Sequence, residues 1–118
     1  MSWDVYLQKD GVTLDAPEGE AHGYVGGTYV MGGTSELWLN VTYNYSSLLH
    51  DALGQPFRTA LHDKRAGDTL PMLDAAIAAL GDETDPDYWK PAAGNVKAAL
   101  RALAQFARWH PDGVWRVS

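Results

Sequence analysis

The stretch 36–47, Glu-Leu-Trp-Leu-Asn-Val-Thr-Tyr-Asn-Tyr-Ser-Ser, alternates between two kinds of side chain more regularly than any other part of the chain. Successive side chains of a β-strand point to opposite faces of the sheet. A central strand over residues 36–46 would therefore turn one set toward a core: Leu37, Leu39, Val41, Tyr43 and Tyr45. The other face would carry Trp38, Asn40, Thr42, Asn44 and Ser46. We predict that short amide and hydroxyl groups, with one indole, line that outer face.

Two further segments have strand patterns. Residues 2–15 alternate on both sides of Asp10-Gly11, which predicts an N-terminal hairpin turning at the glycine. Residues 114–117 follow a Pro-Asp-Gly turn and predict a closing strand of the same sheet. The segment 22–34 contains five glycines but no Gly-Lys-Ser/Thr sequence, so it is not a phosphate-binding loop of that type. It is interpreted either as turns between strands or as backbone that approaches a ligand closely.

Apolar residues recur at three and four residues in 69–80 and again in 93–110, which predicts two main helices. Asp68 or Thr69 is expected to cap the first helix, and Pro111 to stop the second.

A shorter helix is expected after Ser46-Ser47, which would cap it, and should end at Gly54. One or two further helical turns are expected near Phe57. Strands that precede helices, without β-α-β alternation, predict an α+β fold. We expect a single domain over residues 1–118, with the helices packed on one face of a mostly antiparallel sheet.

Composition limits the chemistry of the chain. It has no cysteine, which excludes disulfides, thiol catalysis and cysteine-based metal sites. Nine Lys and Arg against fifteen Asp and Glu give a net charge of −6. No nucleic acid partner is expected, because nonspecific affinity for nucleic acids comes mainly from cations that neutralise phosphates. Neither a signal-peptide pattern nor a membrane-length apolar run is present, so we expect a soluble cytoplasmic protein with no membrane partner.

Motifs for catalysis and metal binding are missing from the sequence. Two histidines are followed by aspartate, at 50–51 and 62–63, but adjacent residues of a helix or strand do not face each other. Neither Gly-x-Ser-x-Gly nor His-Glu-x-x-His occurs. The acidic segment 82–91 has Lys90 where a calcium loop starting at Asp85 needs glycine. The sequence therefore identifies no catalytic residue, metal ligand or cofactor, and it favours binding over catalysis.

Three segments carry a specific combination of motifs: Gly-Gly-Thr-Ser-Glu-Leu-Trp-Leu-Asn-Val-Thr-Tyr-Asn-Tyr (32–45), Asp-Tyr-Trp-Lys-Pro-Ala-Ala-Gly-Asn-Val-Lys-Ala-Ala-Leu (87–100) and His-Pro-Asp-Gly-Val-Trp (110–115). Together they resemble a family of small, mostly uncharacterised proteins of phages and prophages. The resemblance implies a phage origin and a place in the host cytoplasm. Small phage proteins often block a host component or sequester a signalling nucleotide. Where such relatives carry Thr-Pro, this chain has Ala92-Ala93, so a side-chain helix cap at position 92 is missing.

The start of the second main helix is a candidate site for an anionic, nucleotide-like small molecule. Free N–H groups and the positive end of the helix dipole gather at a helix N-terminus. Aromatic rings precede the helix, and its first turn is open at a glycine. The polar strand face would complete the site if it lies alongside. The predicted ligand-binding residues are Trp38, Asn40, Thr42, Asn44, Tyr88, Trp89, Lys90, Gly94, Asn95 and Lys97.

Other readings remain open. Five Trp and six Tyr on an acidic chain also suit a protein-interaction module that blocks a host protein or forms a homo-oligomer. A small enzyme of unknown type is a third reading. Each candidate residue also has a structural interpretation as a strand partner, helix cap or loop anchor. A pocket that joins residues 40–44 to residues 88–97 would favour a small ligand, whereas a flat aromatic patch would favour a protein partner.

Overall fold

A computed structural model of the protein describes residues 1–20, 28–29, 35–87 and 89–118, with the backbone alone for 28–29. The predicted glycine-rich segment 22–34 lies outside the described residues except for 28–29. The elements are β1 (Ser2–Lys9), β2 (Val12–Thr13), β3 (Thr28–Tyr29), β4 (Trp38–Thr42), a 3₁₀ turn (Tyr43–Tyr45), α1 (Ser46–Leu53), α2 (Phe57–Leu61), α3 (Ala66–Ala79), α4 (Ala93–Trp109) and β5 (Val114–Val117).

β1 has the most partners in the sheet. It pairs with β4 and β5, so that Val5 lies opposite both Leu39 and Val117, and its C-terminal end pairs with β2. β4 is itself paired on its other side by β3. Every pairing is antiparallel. The predicted α+β fold, the N-terminal hairpin and the closing strand are confirmed.

The core lies on one face of this sheet. Leu37, Leu39 and Val41 are fully buried, as their alternation predicts. They belong to the same apolar cluster as α4 residues such as Leu100 and Leu103, so the helices pack against that face. The intervening Trp38 and Asn40 are only partly buried and project from the opposite face.

The predicted central strand, β4, ends four residues earlier than predicted, at Thr42 rather than residue 46. The Thr42 hydroxyl accepts a hydrogen bond from the backbone N–H of Asn44 at 3.2 Å, and this local bond replaces a strand pairing. The chain therefore turns, and Tyr43 is 39% exposed rather than placed on the core face. Tyr45 is fully buried, but its position is set by the 3₁₀ turn.

The cap predicted at Ser46-Ser47 is also wrong, because the N-cap of α1 is Tyr45, which makes no side-chain capping bond. The Ser46 hydroxyl instead donates to the carbonyl oxygen of Tyr43. The predicted end of this helix is confirmed, since Gly54 adopts the left-handed conformation with φ of 76°.

α3 begins three residues before the predicted 69–80 range, and neither Asp68 nor Thr69 is its cap. The first two N–H groups of the helix donate to the carbonyl oxygens of Gly113 and Pro111 in the turn before β5. These tertiary partners satisfy groups that a local cap would otherwise have to serve. They cannot be inferred from the residues around the helix start.

α4 agrees with the predicted 93–110 range to within one residue. Its N-cap, Ala92, makes no side-chain hydrogen bond, as expected from the alanine at this position. Across the described residues, no helix is long and apolar enough to cross a membrane.

A buried hydrogen bond joins α3 to β5. The indole N–H of the fully buried Trp115 donates to the Thr69 hydroxyl at 2.9 Å, and that hydroxyl donates to the carbonyl oxygen of Ala66 at 2.7 Å. The indole thus enters the core without leaving its N–H unpaired.

Thr69→Val is expected to lower the free energy of unfolding by about 1–3 kcal/mol, because it preserves the branched shape but leaves the buried indole N–H of Trp115 without an acceptor. The matched control is Thr59→Val at an exposed position of α2, with an expected change of about 0.5 kcal/mol or less. Urea unfolding at neutral pH measures both. Equal effects of the two substitutions would contradict the assignment.

Candidate functional site

Two of the predicted outer-face residues are engaged with β1. Asn40 donates through Nδ2 to Oδ1 of Asp4 at 2.9 Å and to the hydroxyl of Ser2 at 2.7 Å. The Trp38 indole N–H also donates to Oδ1 of Asp4, at 3.3 Å, and its ring stacks on Tyr6. The pKa of Tyr6 is raised mainly by burial of its side chain, and the negative charge of Asp4 raises it further. Trp38 and Asn40 therefore form cross-strand contacts on the face away from the helices.

Thr42 and Asn44, two more residues of that predicted face, lie where the strand ends. Thr42 is 2% exposed, and its hydroxyl holds the 3₁₀ turn. Asn44 donates through Nδ2 to the carbonyl oxygen of Trp89 at 2.8 Å. Asn44 is thus the predicted strand residue that reaches the segment before α4.

The first turn of α4 is occupied by the chain's own loop, residues 82–85. The N–H of Gly94 donates to the carbonyl oxygen of Glu83 at 2.6 Å. A Cβ atom on Gly94 would lie 2.7 Å from the carbonyl oxygens of both Asp82 and Glu83. Glycine is needed here for the close approach of two backbone segments. Backbone carbonyls therefore fill the position expected for an anionic ligand.

Asn95 and Lys97 hold the same loop. Asn95 is 5% exposed; its Nδ2 donates to the carbonyl oxygen of Asp85 at 3.1 Å, and its Oδ1 accepts from the Asp85 N–H at 3.4 Å. Lys97 donates through Nζ to Oδ1 of Asp82 at 2.8 Å and to the carbonyl oxygen of Leu80 at 3.3 Å. This hydrogen bond, together with the charge of Lys97, lowers the pKa of Asp82. The carboxylate that Lys97 binds belongs to the chain itself.

The structure thus brings only part of the predicted site together. Asn44 contacts the segment before α4 because the chain turns after Thr42, whereas Trp38 and Asn40 lie within β4 on the face away from the helices. Lys90 is exposed at the end of the loop. Tyr88 lies outside the described residues.

Exposed apolar side chains gather at one corner, which sequence reasoning did not identify as a unit. Among the described residues, the exposed large hydrophobic side chains are Met1, Val12, Tyr43 and Trp89. The backbones that carry Met1, Tyr43 and Trp89 adjoin one another where β1 begins and β4 ends. The N–H of Tyr43 donates to the carbonyl oxygen of Met1 at 3.1 Å, and Asn44 bonds the backbone of Trp89. The Tyr43 ring also packs edge-on against Trp3, with ring centres 4.6 Å apart. We call Met1, Trp3, Tyr43 and Trp89 the aromatic corner.

Carboxylates adjoin the aromatic corner. Oδ1 of Asp87 accepts from the N–H of Trp89 at 3.1 Å, and Oδ1 of Asp85 accepts from the N–H of Asp87 at 2.8 Å. These bonds hold both side chains in place. The pKa of Tyr45 is raised mainly by burial of its side chain, and the negative charge of Asp87 raises it further. None of the ion pairs among the described residues involves Glu83, Asp85 or Asp87.

A separate surface depression of about 350 Å³ lies at the far end of the sheet. Its lining includes Gln8, Asp10 and Val114, and none of the predicted site residues. Arg116 also lines it, but its guanidinium is paired with Asp63.

Within the described ranges, no group of three or more His, Asp or Glu side chains could hold a metal ion. Comparison with protein-family models, with curated proteins and with solved structures found no match to this chain.

Gly94→Ala is expected to destabilise the chain by about 1–3 kcal/mol despite the higher helix propensity of alanine, because the methyl group would meet two backbone oxygens. Gly81→Ala is the matched control, since the nearest atom to its added Cβ is 3.8 Å away. Thermal unfolding and amide chemical shifts of residues 82–87 would measure the effect. Retention of both by Gly94→Ala would contradict the close approach.

Acidification is expected to destabilise the folded chain partly through Asp82, whose pKa is lowered by Lys97. A carboxyl group with a lowered folded pKa stabilises the fold above its unfolded pKa of about 3.9, and this contribution disappears as pH falls through the folded pKa. Melting temperatures measured from about pH 6 to pH 2 should fall less steeply for Asp82→Asn than for the wild type. Lys97→Met, which lacks the partner, should share the shallower dependence. Three parallel curves would contradict this assignment.

Proposed function

We propose that the protein is a binding module for another protein, and that it binds through the aromatic corner. The observation that carries the proposal is that Tyr43, Trp89 and Met1, three of the four exposed large apolar side chains among the described residues, stand on adjoining backbone segments at one end of the sheet. Tyrosine, tryptophan and methionine are the side chains that protein interfaces favour.

The corner is backed by ordered structure. The Trp3 ring packs against the Tyr43 ring and also against the ring of the buried Phe57, whose centre is 4.8 Å from that of Trp3. Asn44 ties the Trp89 backbone to the 3₁₀ turn. Aromatic side chains with few rotatable bonds, on a backbone that is already held, lose little conformational entropy when a partner binds. This arrangement supports a protein partner.

The hypothesis of an anionic small ligand stays a prediction, and the contacts around α4 do not favour it. A ligand at the helix start would have to displace the Glu83 carbonyl from Gly94 and the Asp82 carboxylate from Lys97. The resemblance to phage proteins supports a protein of the host cell as the partner, which this chain would bind and block. A second copy of the chain is the competing occupant.

Trp89→Ala and Tyr43→Ala are expected to abolish capture of a specific partner by the tagged protein from bacterial lysate. Loss of a central aromatic anchor typically costs about 2 kcal/mol or more, roughly a thirtyfold drop in affinity. Val12→Ala is the matched control, because Val12 is exposed on the hairpin at a distance from the corner. Quantitative mass spectrometry compares the recovered proteins, and urea unfolding confirms that each variant folds.

Recovery of the same proteins by the wild type and both corner variants would contradict the proposal, and so would the absence of any protein specific to the wild type. Light scattering tests the competing occupant. A dimer that Trp89→Ala converts to a monomer would show that the corner binds a second copy.

A further inference from the structure

We infer that the partner segment presents an arginine, whose guanidinium stacks on the aromatic corner and pairs with Asp85 and Asp87. This inference rests on the proposed function and specifies the chemistry of the partner. It follows from the placement of carboxylates beside exposed rings.

The segment 83–91 carries a net negative charge. Glu83, Asp85 and Asp87 form no ion pair with any described residue, whereas Asp82 in the same loop is neutralised by Lys97. Lys90 is the only cation in the segment 83–91, so three carboxylates stand against one ammonium group. A cationic segment would gain electrostatic attraction here without breaking an existing ion pair.

The carboxylates of Asp85 and Asp87 are oriented by hydrogen bonds from the backbone. Asp85 and Asp87 each use Oδ1 to accept a backbone N–H, which fixes the side chain. No described residue donates to the Oδ2 atoms. A pre-positioned carboxylate with an open oxygen can pair with an incoming donor at little entropic cost.

The exposed rings of Trp89 and Tyr43 favour arginine over lysine in the partner. Trp89 is 44% exposed and Tyr43 is 39% exposed, so both offer surface to a cation. A guanidinium is planar, is more weakly hydrated than an ammonium group, and can stack on an aromatic ring while it donates to a carboxylate in its own plane. Arginine therefore uses both features of the corner, whereas lysine uses mainly the charge.

A second acidic region provides an internal comparison. Asp10, Asp15, Glu18 and Glu20 lie near the hairpin and the loop that follows it. Among the described residues, no large aromatic side chain is exposed there. Simple charge attraction would act at both regions, whereas, among the described residues, exposed rings for stacking of a guanidinium are found at the corner.

The test uses the full chain and three peptides: acetyl-Gly-Arg-Gly-Arg-Gly-amide, its lysine analogue and its citrulline analogue. Binding is followed by NMR through the indole N–H signals, and the Trp89 signal is identified by its absence in Trp89→Phe. We expect the arginine peptide to shift the Trp89 signal and to bind about threefold more tightly than the lysine peptide. The uncharged citrulline peptide should leave the signal unchanged.

Matched substitutions separate the contributions. Asp87→Asn removes the negative charge but still offers an oxygen, that of its side-chain amide, to accept the Trp89 N–H. It should weaken binding of the arginine peptide by about two- to fivefold. Glu18→Gln removes one charge at the second acidic region and should leave binding unchanged. Trp89→Leu keeps an apolar side chain without a ring and should weaken binding by about two- to fivefold, whereas Trp89→Phe should retain most of it. Because both variants lack the Trp89 indole, their binding is followed through the backbone amide signals of Tyr43 and Asp87.

Equal binding of the arginine and citrulline peptides would overturn the inference, as would equal losses for Asp87→Asn and Glu18→Gln. Absence of binding by every peptide would also overturn it. If capture of a lysate partner still depends on Trp89 in that case, the proposed function stands with a partner of different chemistry. If the arginine peptide binds the corner but no lysate protein depends on Trp89, the proposed protein partner fails instead.

Discussion

The packing of the acidic loop on the first turn of α4 is the interaction on which the rest of the proposed binding surface depends. A helix N-terminus that begins at a buried position needs acceptors for its free N–H groups. Ala92 supplies no side-chain cap, so a backbone carbonyl from residue 83 bonds the helix start instead. Gly94 permits the approach, and the Asn95 amide and Lys97 ammonium complete it.

The packing of residues 82–85 on α4 determines which side chains of the loop are exposed. With residues 82–85 held against the helix, Asp87 accepts the Trp89 N–H, the Trp89 backbone is bonded to Asn44, and the side chains of Trp89 and Tyr43 are exposed. The Gly-Asn-x-Lys motif at 94–97 therefore contacts the chain itself, and it positions the loop of residues 82–85. The carboxylates and rings of that loop, rather than the helix dipole, provide the recognition chemistry of the proposed interface.

Much of the fold follows from local patterns, because burial alternates along strands and recurs every three to four residues along helices. The fully buried Leu37, Leu39 and Val41 and the bounds of α4 agree with such patterns. The errors occur where a side chain or a distant segment competes with the local pattern. The Thr42 hydroxyl stops the strand, and carbonyls from the turn before β5 start α3 early.

For the candidate site, the sequence by itself determined which residue types were available: surplus aromatic rings, an acidic loop, and a Gly-Asn-x-Lys helix start without a cap. Only the tertiary structure decided which of them meet. Lys97 lies 15 residues along the chain from the Asp82 carboxylate that it binds, and Asn44 lies 45 residues from the Trp89 carbonyl. No local periodicity encodes such pairings, because they depend on how the loop crosses the helix and where the strand stops. The same geometry separated Trp38 and Asn40 from the rest of the predicted site, since both stay within β4 on the face away from the helices, whereas the chain turns after Thr42 and brings Asn44 to the segment before α4.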